Sequence, residues 1–199
     1  MAGAASLVVT TTEAVSRFSG FGLGLAIMVL LVAAFVYALV VAVLAFQGRP
    51  SPVLPSWTDY AIPVLAVLGL GVAGYLTFVE TRNVAAVCGP VGDCNAVQSS
   101  PYAKLFGVLP VGVLGLIGYV AILALWALGR YAGGTLAAYA PVLLFTMALF
   151  GVLFSIYLTY LELAVILAVC AWCLTSAVIM ALLLVLTAGQ AAESLMGSE

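Results

Sequence analysis

The chain has 199 residues, of which 66% are hydrophobic and only 6% are charged. A water-soluble domain of this size could not cover its apolar surface with so few polar side chains, so lipid is the expected solvent. The net charge of -2 and the lack of a Lys/Arg cluster argue against a nucleic-acid partner, and the absence of histidine removes the commonest metal ligand and general base.

Five uncharged apolar segments are long enough to cross a bilayer, since a spanning helix needs roughly 20 residues. In chain order they are Gly22–Phe46, Tyr60–Val79, Phe106–Leu128, Ala140–Leu161 and Ala171–Ala188. The first segment is too long for a typical signal-peptide core and lacks a clear cleavage site, so we expect it to be retained. The sequence therefore predicts an all-α integral membrane protein, a four-helix bundle with one additional N-terminal transmembrane helix.

These helices divide the chain into predicted parts. Residues 1–21 are expected to form an N-terminal segment, 22–46 the additional helix, 60–188 the bundle and 189–199 a tail. Within the bundle, we expect residues 81–105 to form an extramembrane loop.

The last two predicted helices need a turn between them. The stretch from Pro141 to Ala188 contains one charge, Glu162, and is too long to be a single spanning helix. We predict the turn between Glu162 and Cys170, because a carboxylate is least costly at the membrane interface. Cys170 would then lie at the start of the last helix.

A short internal similarity links the two halves of the bundle. Tyr75-Leu-Thr-Phe-Val-Glu80 is followed eight residues after its glutamate by Cys88, and Tyr157-Leu-Thr-Tyr-Leu-Glu162 is followed at the same interval by Cys170. Each cysteine is therefore expected just beyond the end of a helix. Two crossings separate the cysteine pairs, so both pairs should face the same side of the membrane. We expect that side to be extracytoplasmic because disulfides persist in oxidising compartments, although the Lys and Arg positions do not support either orientation.

The four cysteines occur as two close pairs, Cys88-x5-Cys94 and Cys170-x2-Cys173. A C-x-x-C pair at a helix N-terminus favours a thiolate on its first cysteine and can open and close a disulfide with little backbone movement. The first pair lies in a loop with two glycines and a proline, and its mobility would allow exchange with an outside thiol and with the second pair. Two electrons leaving a dithiol at a bilayer favour a lipid-soluble acceptor such as a quinone.

Other interpretations of the cysteines remain open. They could be structural disulfides of a membrane scaffold protein. A small transporter would need polar groups near mid-bilayer, which are nearly absent. A four-cysteine metal site is disfavoured because the spacing of the first pair is loose for zinc or an iron–sulfur cluster, and we predict no metal.

A glycine pattern, Gly69-Leu-Gly71-Val-Ala-Gly74, matches the dinucleotide-binding fingerprint. It lies inside a predicted membrane helix with no strand before it. We therefore interpret it as helix packing.

Taken together, the residues resemble the prokaryotic branch of the vitamin K epoxide reductase family. The resemblance covers about residues 60 to 188. The matching segments are Gly74-Tyr-Leu-Thr, the pair Cys88/Cys94, Ser99-Ser100, Phe106-Gly107, Gly118-Tyr119, and Tyr157-Leu-Thr-Tyr-Leu-Glu-Leu163 leading to Cys170-Ala-Trp-Cys-Leu-Thr-Ser176.

The resemblance implies a four-helix bundle around a quinone of the menaquinone or ubiquinone type. Cys173 would be nearest to the quinone, Cys170 would exchange with Cys94, and Cys88 would meet an external thiol partner. Ser100 occupies the serine position of the family, where its hydroxyl could orient a cysteine, hydrogen-bond a quinone oxygen or cap the helix that follows. The residues expected to contact the quinone are Cys173, Trp172, Val111, Leu114 and Tyr119.

Two departures from the family pattern affect the expected substrate. Val111 and Ala177 occupy positions where vertebrate members carry an asparagine and a tyrosine associated with epoxide and naphthoquinone handling. Quinone reduction coupled to disulfide formation is therefore favoured over epoxide reduction. Many prokaryotic relatives carry a fused thioredoxin-like domain, and because the tail after Ala188 is short, we expect the thioredoxin-like partner to be a separate extracytoplasmic protein.

Overall fold

The computed structural model describes residues 2–49, 58–88, 92–105 and 107–196, with most side chains from residue 20 onward. The α-helices in these ranges are α1 (Ala2–Phe46), α2 (Thr58–Arg82), α3 (Cys94–Gln98), α4 (Val111–Tyr131), α5 (Thr135–Leu161) and α6 (Ala171–Met196). A two-residue strand β1 (Lys104–Leu105) pairs antiparallel with β2 (Leu109–Pro110).

Five helical segments are long and apolar enough to span a membrane within the described ranges. They are residues 20–46 of α1, together with α2, α4, α5 and α6. The predicted all-α membrane fold with five transmembrane helices is therefore confirmed, and the protein is a multi-pass membrane protein.

The first and last helices are longer than predicted. α1 begins at Ala2 rather than Gly22, and α6 continues to Met196, beyond the predicted end at Ala188. Hydropathy locates only the part of a helix that needs lipid, so it does not detect helical turns outside that part. The functional division of the chain into segments stays a prediction.

The start of α4 also corrects a prediction. The helix was expected to begin at Phe106, but it begins at Val111, after the β1–β2 hairpin. Pro110 ends the hairpin with an extended backbone (φ -58°, ψ 137°), and it lacks the N–H that would continue a ladder. Val108 and Leu109 therefore belong to the hairpin and not to the helix, and Phe106 itself lies outside the described residues.

The bundle consists of two helical hairpins. α2 packs against α4, α5 packs against α6, and α6 also contacts α1 and α2. α6 is the central helix. The side chains of Leu183 and Leu184 on α6, Ile122 on α4 and Val152 on α5 are almost fully buried in the main core.

α2 and α4 approach closely at Gly69. A Cβ atom at Gly69 would lie 2.7 Å from Cδ1 of Tyr119 and closer still to other atoms of the ring, whereas a Cβ at Gly71 would meet nothing within 4 Å. Tyr119 is fully buried, and its hydroxyl lies 2.9 Å from Ser176 Oγ on α6. Gly69 therefore has the packing role that was predicted for the glycine pattern.

We expect Gly69→Ala to destabilise the protein by about 1–3 kcal/mol, because the added methyl group overpacks the contact with Tyr119. Gly71→Ala is the matched control and should be neutral or slightly stabilising, since alanine is the better helix former. The measurement is thermal unfolding of both variants in the same detergent. Equal unfolding temperatures would contradict the close contact.

Candidate functional site

The chain turns back between α5 and α6 as predicted. A π-helical turn, Glu162–Ile166, follows α5, and Leu167 then adopts a left-handed conformation with φ of 56°. The Glu162 carboxylate is buried, because its side chain is only 2% exposed. The position of the turn was therefore predicted correctly.

Two glutamates join the ends of the two hairpins. Glu80 Oε2 accepts a hydrogen bond from Gly112 N in the first turn of α4 (2.9 Å), and Glu162 Oε2 accepts one from Cys170 N just before α6 (3.1 Å). Backbone N–H groups at a helix start lack intrahelical partners, and a carboxylate there is also favoured by the helix dipole. The internal sequence similarity therefore reflects the same structural role in each hairpin.

The first cysteine pair lies in an anchored part of the loop. Cys88 and Cys94 form a disulfide, with their Cα atoms 5.9 Å apart, and Cys94 begins α3. The side chain of Asn95 binds both backbone groups of Ala86, accepting from N at 2.8 Å and donating to O at 3.3 Å. These bonds hold the two arms of the loop together.

Tyr75 and Trp172 hold the residue before Cys88. The indole Nε1 of Trp172 donates to Val87 O (3.0 Å), and Val87 N donates to the hydroxyl of Tyr75 (2.7 Å). The two rings are also in contact, with centroids 4.6 Å apart. The tryptophan between Cys170 and Cys173 therefore positions the loop pair.

All four cysteines belong to one packed cluster. Cys94 and Cys170 are fully buried within it, while Cys88 and Cys173 are partly buried. Cys170 and Cys173 are free thiols. A backbone hydrogen bond from Asp93 N to Val169 O (2.9 Å) joins the residues that precede Cys94 and Cys170. The structure therefore brings together the two cysteine pairs that the sequence placed on one membrane face.

A cavity of about 190 Å³ lies beside this cluster, between α2, α4, α5 and α6. Its walls are mainly apolar and include three of the predicted quinone contacts, Cys173, Val111 and Leu114. Cys173 is the only one of the four cysteines that lines it. Ile117 on α4 and Phe150 on α5 line the cavity yet are more than half exposed, so it opens to the bundle surface between these helices.

The other two predicted quinone contacts, Trp172 and Tyr119, stay predictions. Among the described residues that line the cavity, neither Trp172 nor Tyr119 occurs. The polar end of each aromatic side chain has another partner: the Trp172 indole binds Val87 O, and the Tyr119 hydroxyl binds Ser176. The hydrogen bond that an indole or a phenol makes fixes the direction of its ring.

The cavity contains polar atoms at the end near the cysteines. The hydroxyl of Ser100 and the amide of Gln98 are buried there and have no hydrogen-bond partner among the described residues. Ser100 precedes a 3-10 turn, Pro101–Ala103, but its side chain does not make the capping hydrogen bond considered from the sequence. Its oxygen is therefore free to bind a ligand.

Of the cavity residues that were not predicted as site residues, three carry a carboxylate or amide side chain. Glu80 and Glu162 both line the cavity, and the internal similarity that contains them could have drawn attention to both. Gln98 carries no comparable signal in the sequence. Its position follows from the short helix α3, which only the folded loop reveals.

The chain matches the sequence model of the vitamin K epoxide reductase family over residues 60–188. It belongs to that family. Because the protein belongs to the vitamin K epoxide reductase family and has membrane-spanning helices, it is a membrane thiol oxidoreductase that exchanges electrons with a thiol partner. The match begins in α2 and ends in α6, so it does not include α1.

α1 packs behind the redox loop of this vitamin K epoxide reductase family member. A Cβ at Gly20 would lie 3.2 Å from Gly92 Cα, and a Cβ at Gly24 would lie 2.8 Å from Leu163 Cδ2. Further along α1, Ile27 packs against the small buried cluster that contains Leu163 and Val169. α1 therefore supports the segment that leads to the second cysteine pair.

We expect Gly24→Leu to slow disulfide exchange between Cys94 and Cys170, because the larger side chain displaces Leu163 and the segment that follows. An overpacking cost of about 1–3 kcal/mol at the exchange step corresponds to a loss of rate of roughly 5- to 150-fold. Gly22→Leu is the matched control, since a Cβ at Gly22 would meet nothing within 4 Å.

The measurement uses a Cys88→Ala/Cys173→Ala background, in which oxidation can trap a bond between the two remaining cysteines. The rate of trapping is read from gel mobility after addition of an oxidant. Trapping at the same rate in Gly24→Leu and Gly22→Leu would refute the supporting role of α1.

Proposed function

We propose that this protein generates disulfides by relaying two electrons from a thioredoxin-like protein to a membrane quinone. The electrons pass first through Cys88/Cys94 and then through Cys170/Cys173. The observation that carries the proposal is the position of Cys173. It belongs to the cluster of all four cysteines, and it is also the one cysteine that lines the apolar cavity.

The residues around the cavity suit a quinone. A cavity of about 150 Å³ accepts a benzene ring, and this cavity of about 190 Å³ is somewhat larger. Its walls are apolar, while the Ser100 hydroxyl and the Gln98 amide are unpaired donors for carbonyl oxygens. Buried donors without partners are uncommon in proteins, which supports a ligand as their missing partner. The opening beside Ile117 and Phe150 gives an isoprenoid tail a route to the lipid.

The cycle requires two thiol–disulfide exchanges. A dithiol of the partner attacks the disulfide at Cys88, so the partner leaves oxidised and the loop pair becomes two thiols. The Cys94 thiolate then attacks Cys170 of the oxidised second pair, and closure of Cys88–Cys94 leaves Cys170 and Cys173 as thiols. A quinone in the cavity would supply a two-electron, two-proton acceptor. Cys170 and Cys173 then close their disulfide again.

We expect Cys173→Ala to abolish quinone reduction, because the chain then lacks the one thiol that borders the cavity. Cys88→Ala should spare quinone reduction driven by a small dithiol, which can reach the second pair without the loop. The Cys88→Ala substitution should nevertheless abolish oxidation of a protein dithiol, which needs the loop pair. The measurement follows the absorbance of a soluble quinone with purified protein and each donor.

The same assay tests the alternative that the protein is a membrane scaffold whose disulfides are structural. A scaffold would show no thiol-dependent quinone reduction, even as the unaltered protein. Equal loss in the two variants with the small dithiol would contradict the order of the relay.

We also propose that the cysteines face the extracytoplasmic side, where an exported thioredoxin-like protein can reach Cys88. The chemical support is that disulfides persist in oxidising compartments. Val108, at the tip of the β1–β2 hairpin, and Tyr131, at the opposite end of α4, are both strongly exposed.

Either position can therefore carry a single cysteine in a background whose four native cysteines are alanine. Val108→Cys should react with a membrane-impermeant maleimide in intact cells. Tyr131→Cys should react only after the cells are permeabilised. The reverse pattern would place the redox site on the cytoplasmic side.

A further inference from the structure

We infer that Glu162 is the proton acceptor for the second cysteine pair. This role rests on the proposed function, because it assigns the proton transfer that accompanies closure of the Cys170–Cys173 disulfide. It adds a chemical role to a side chain whose visible contact is a hydrogen bond to the backbone.

Glu162 lies next to both cysteines of this pair. Its Oε2 accepts a hydrogen bond from Cys170 N at 3.1 Å. Glu162 and Cys173 line the same cavity, and Glu162 is only 2% exposed. A buried carboxylate beside a cysteine pair is placed to take a thiol proton as a general base.

The chemistry requires such a base. Closing the disulfide breaks two S–H bonds and forms one S–S bond, so two electrons and two protons must leave the thiols of Cys170 and Cys173. The thiolate is the reactive form, and an apolar cavity disfavours free water as the acceptor. The chain has no histidine to serve instead. Glu162 would take the two thiol protons one after the other at its carboxylate and release each towards the two-electron, two-proton acceptor, so its own charge is restored in each cycle.

Other ionisable groups near the cavity are less suitable. Glu80 lines the cavity, but it binds Gly112 N at the start of α4 and has Lys104 as its charged neighbour. Tyr102 also lines the cavity from the 3-10 turn after the loop. Among the described residues, neither makes a hydrogen bond to Cys170 or Cys173, whereas Glu162 binds Cys170 N.

Glu162 could be only a cap for the start of α6, and Glu162→Gln separates the two roles. The glutamine oxygen can still accept the hydrogen bond from Cys170 N, but the amide cannot take up a proton from Cys173. Glu162→Asp keeps the carboxylate and should restore part of the activity. Asp59→Asn makes the same exchange of carboxylate for amide near Gln190, at the opposite end of the bundle, and serves as the control.

The first measurement needs no quinone. The reduced Cys88→Ala/Cys94→Ala protein is mixed with 4,4′-dithiodipyridine, and closure of the second pair is followed by release of thiopyridone. We expect Glu162→Gln to slow closure by about 100-fold, in the range typical of a general base. Asp59→Asn should close at the unaltered rate.

The pH dependence of closure provides a readout that a capping role would not change. A base acts only when deprotonated, so the rate with Glu162 should fall as the pH falls through the titration of its carboxyl group. Glu162→Gln should lack that acidic limb, whereas Glu80, Tyr102 and the cysteines are unchanged in this variant. Glu162→Asp should retain the limb.

The results that overturn the inference are specific. Closure by Glu162→Gln at the unaltered rate and with the acidic limb retained would leave Glu162 as a cap. Equal slowing in Glu162→Asp and Glu162→Gln, again with the limb retained, would have the same meaning. Protein that closes its second pair with the expected dependence on Glu162 but never reduces a quinone would refute the proposed function and leave the proton role intact.

Discussion

The hydrogen bonds of Glu80 and Glu162 are the constraint on which the cysteine end of the bundle depends. A helix start inside an apolar bundle has N–H groups that need partners, and a buried carboxylate needs donors. Pairing the two satisfies both needs at once, in α2–α4 through Gly112 and in α5–α6 through Cys170. Because both carboxylates also line the cavity, the same bonds determine its polar end.

The loop pair is positioned by the helix that carries the second pair. Trp172 lies between Cys170 and Cys173, and its indole binds the carbonyl of Val87, the residue before Cys88. The sequence predicted exchange through a mobile loop, but the described parts of the loop are anchored to the helices. Because of this bond, the loop pair stays next to the second pair when the start of α6 moves. Thiol–disulfide exchange between two pairs held together is faster than exchange that depends on their diffusion.

Hydropathy and spacing predicted the five spans, the turn before Cys170 and the shared face of the cysteine pairs. These features depend on the transfer of whole segments into lipid, which composition reports well. The directions of Trp172 and Tyr119 could not be predicted, because each follows from one hydrogen-bond partner supplied by a distant part of the chain. The role of Glu162 was missed for a similar reason: a lone carboxylate in an apolar stretch was interpreted by its cost in lipid, not by the N–H group that binds it.

Access to the cavity also separates the reaction of the loop pair from the reaction of the second pair with an oxidant. Cys94 and Cys170 are fully buried, and of the four cysteines only Cys173 borders the cavity. An oxidant in the cavity would therefore meet one thiol of the second pair and could not react directly with the loop pair. Under the proposed function, electrons from a protein dithiol would therefore pass through both pairs in order. The packing that buries Cys94 and Cys170 would keep the protein partner and the membrane oxidant of the proposed relay apart.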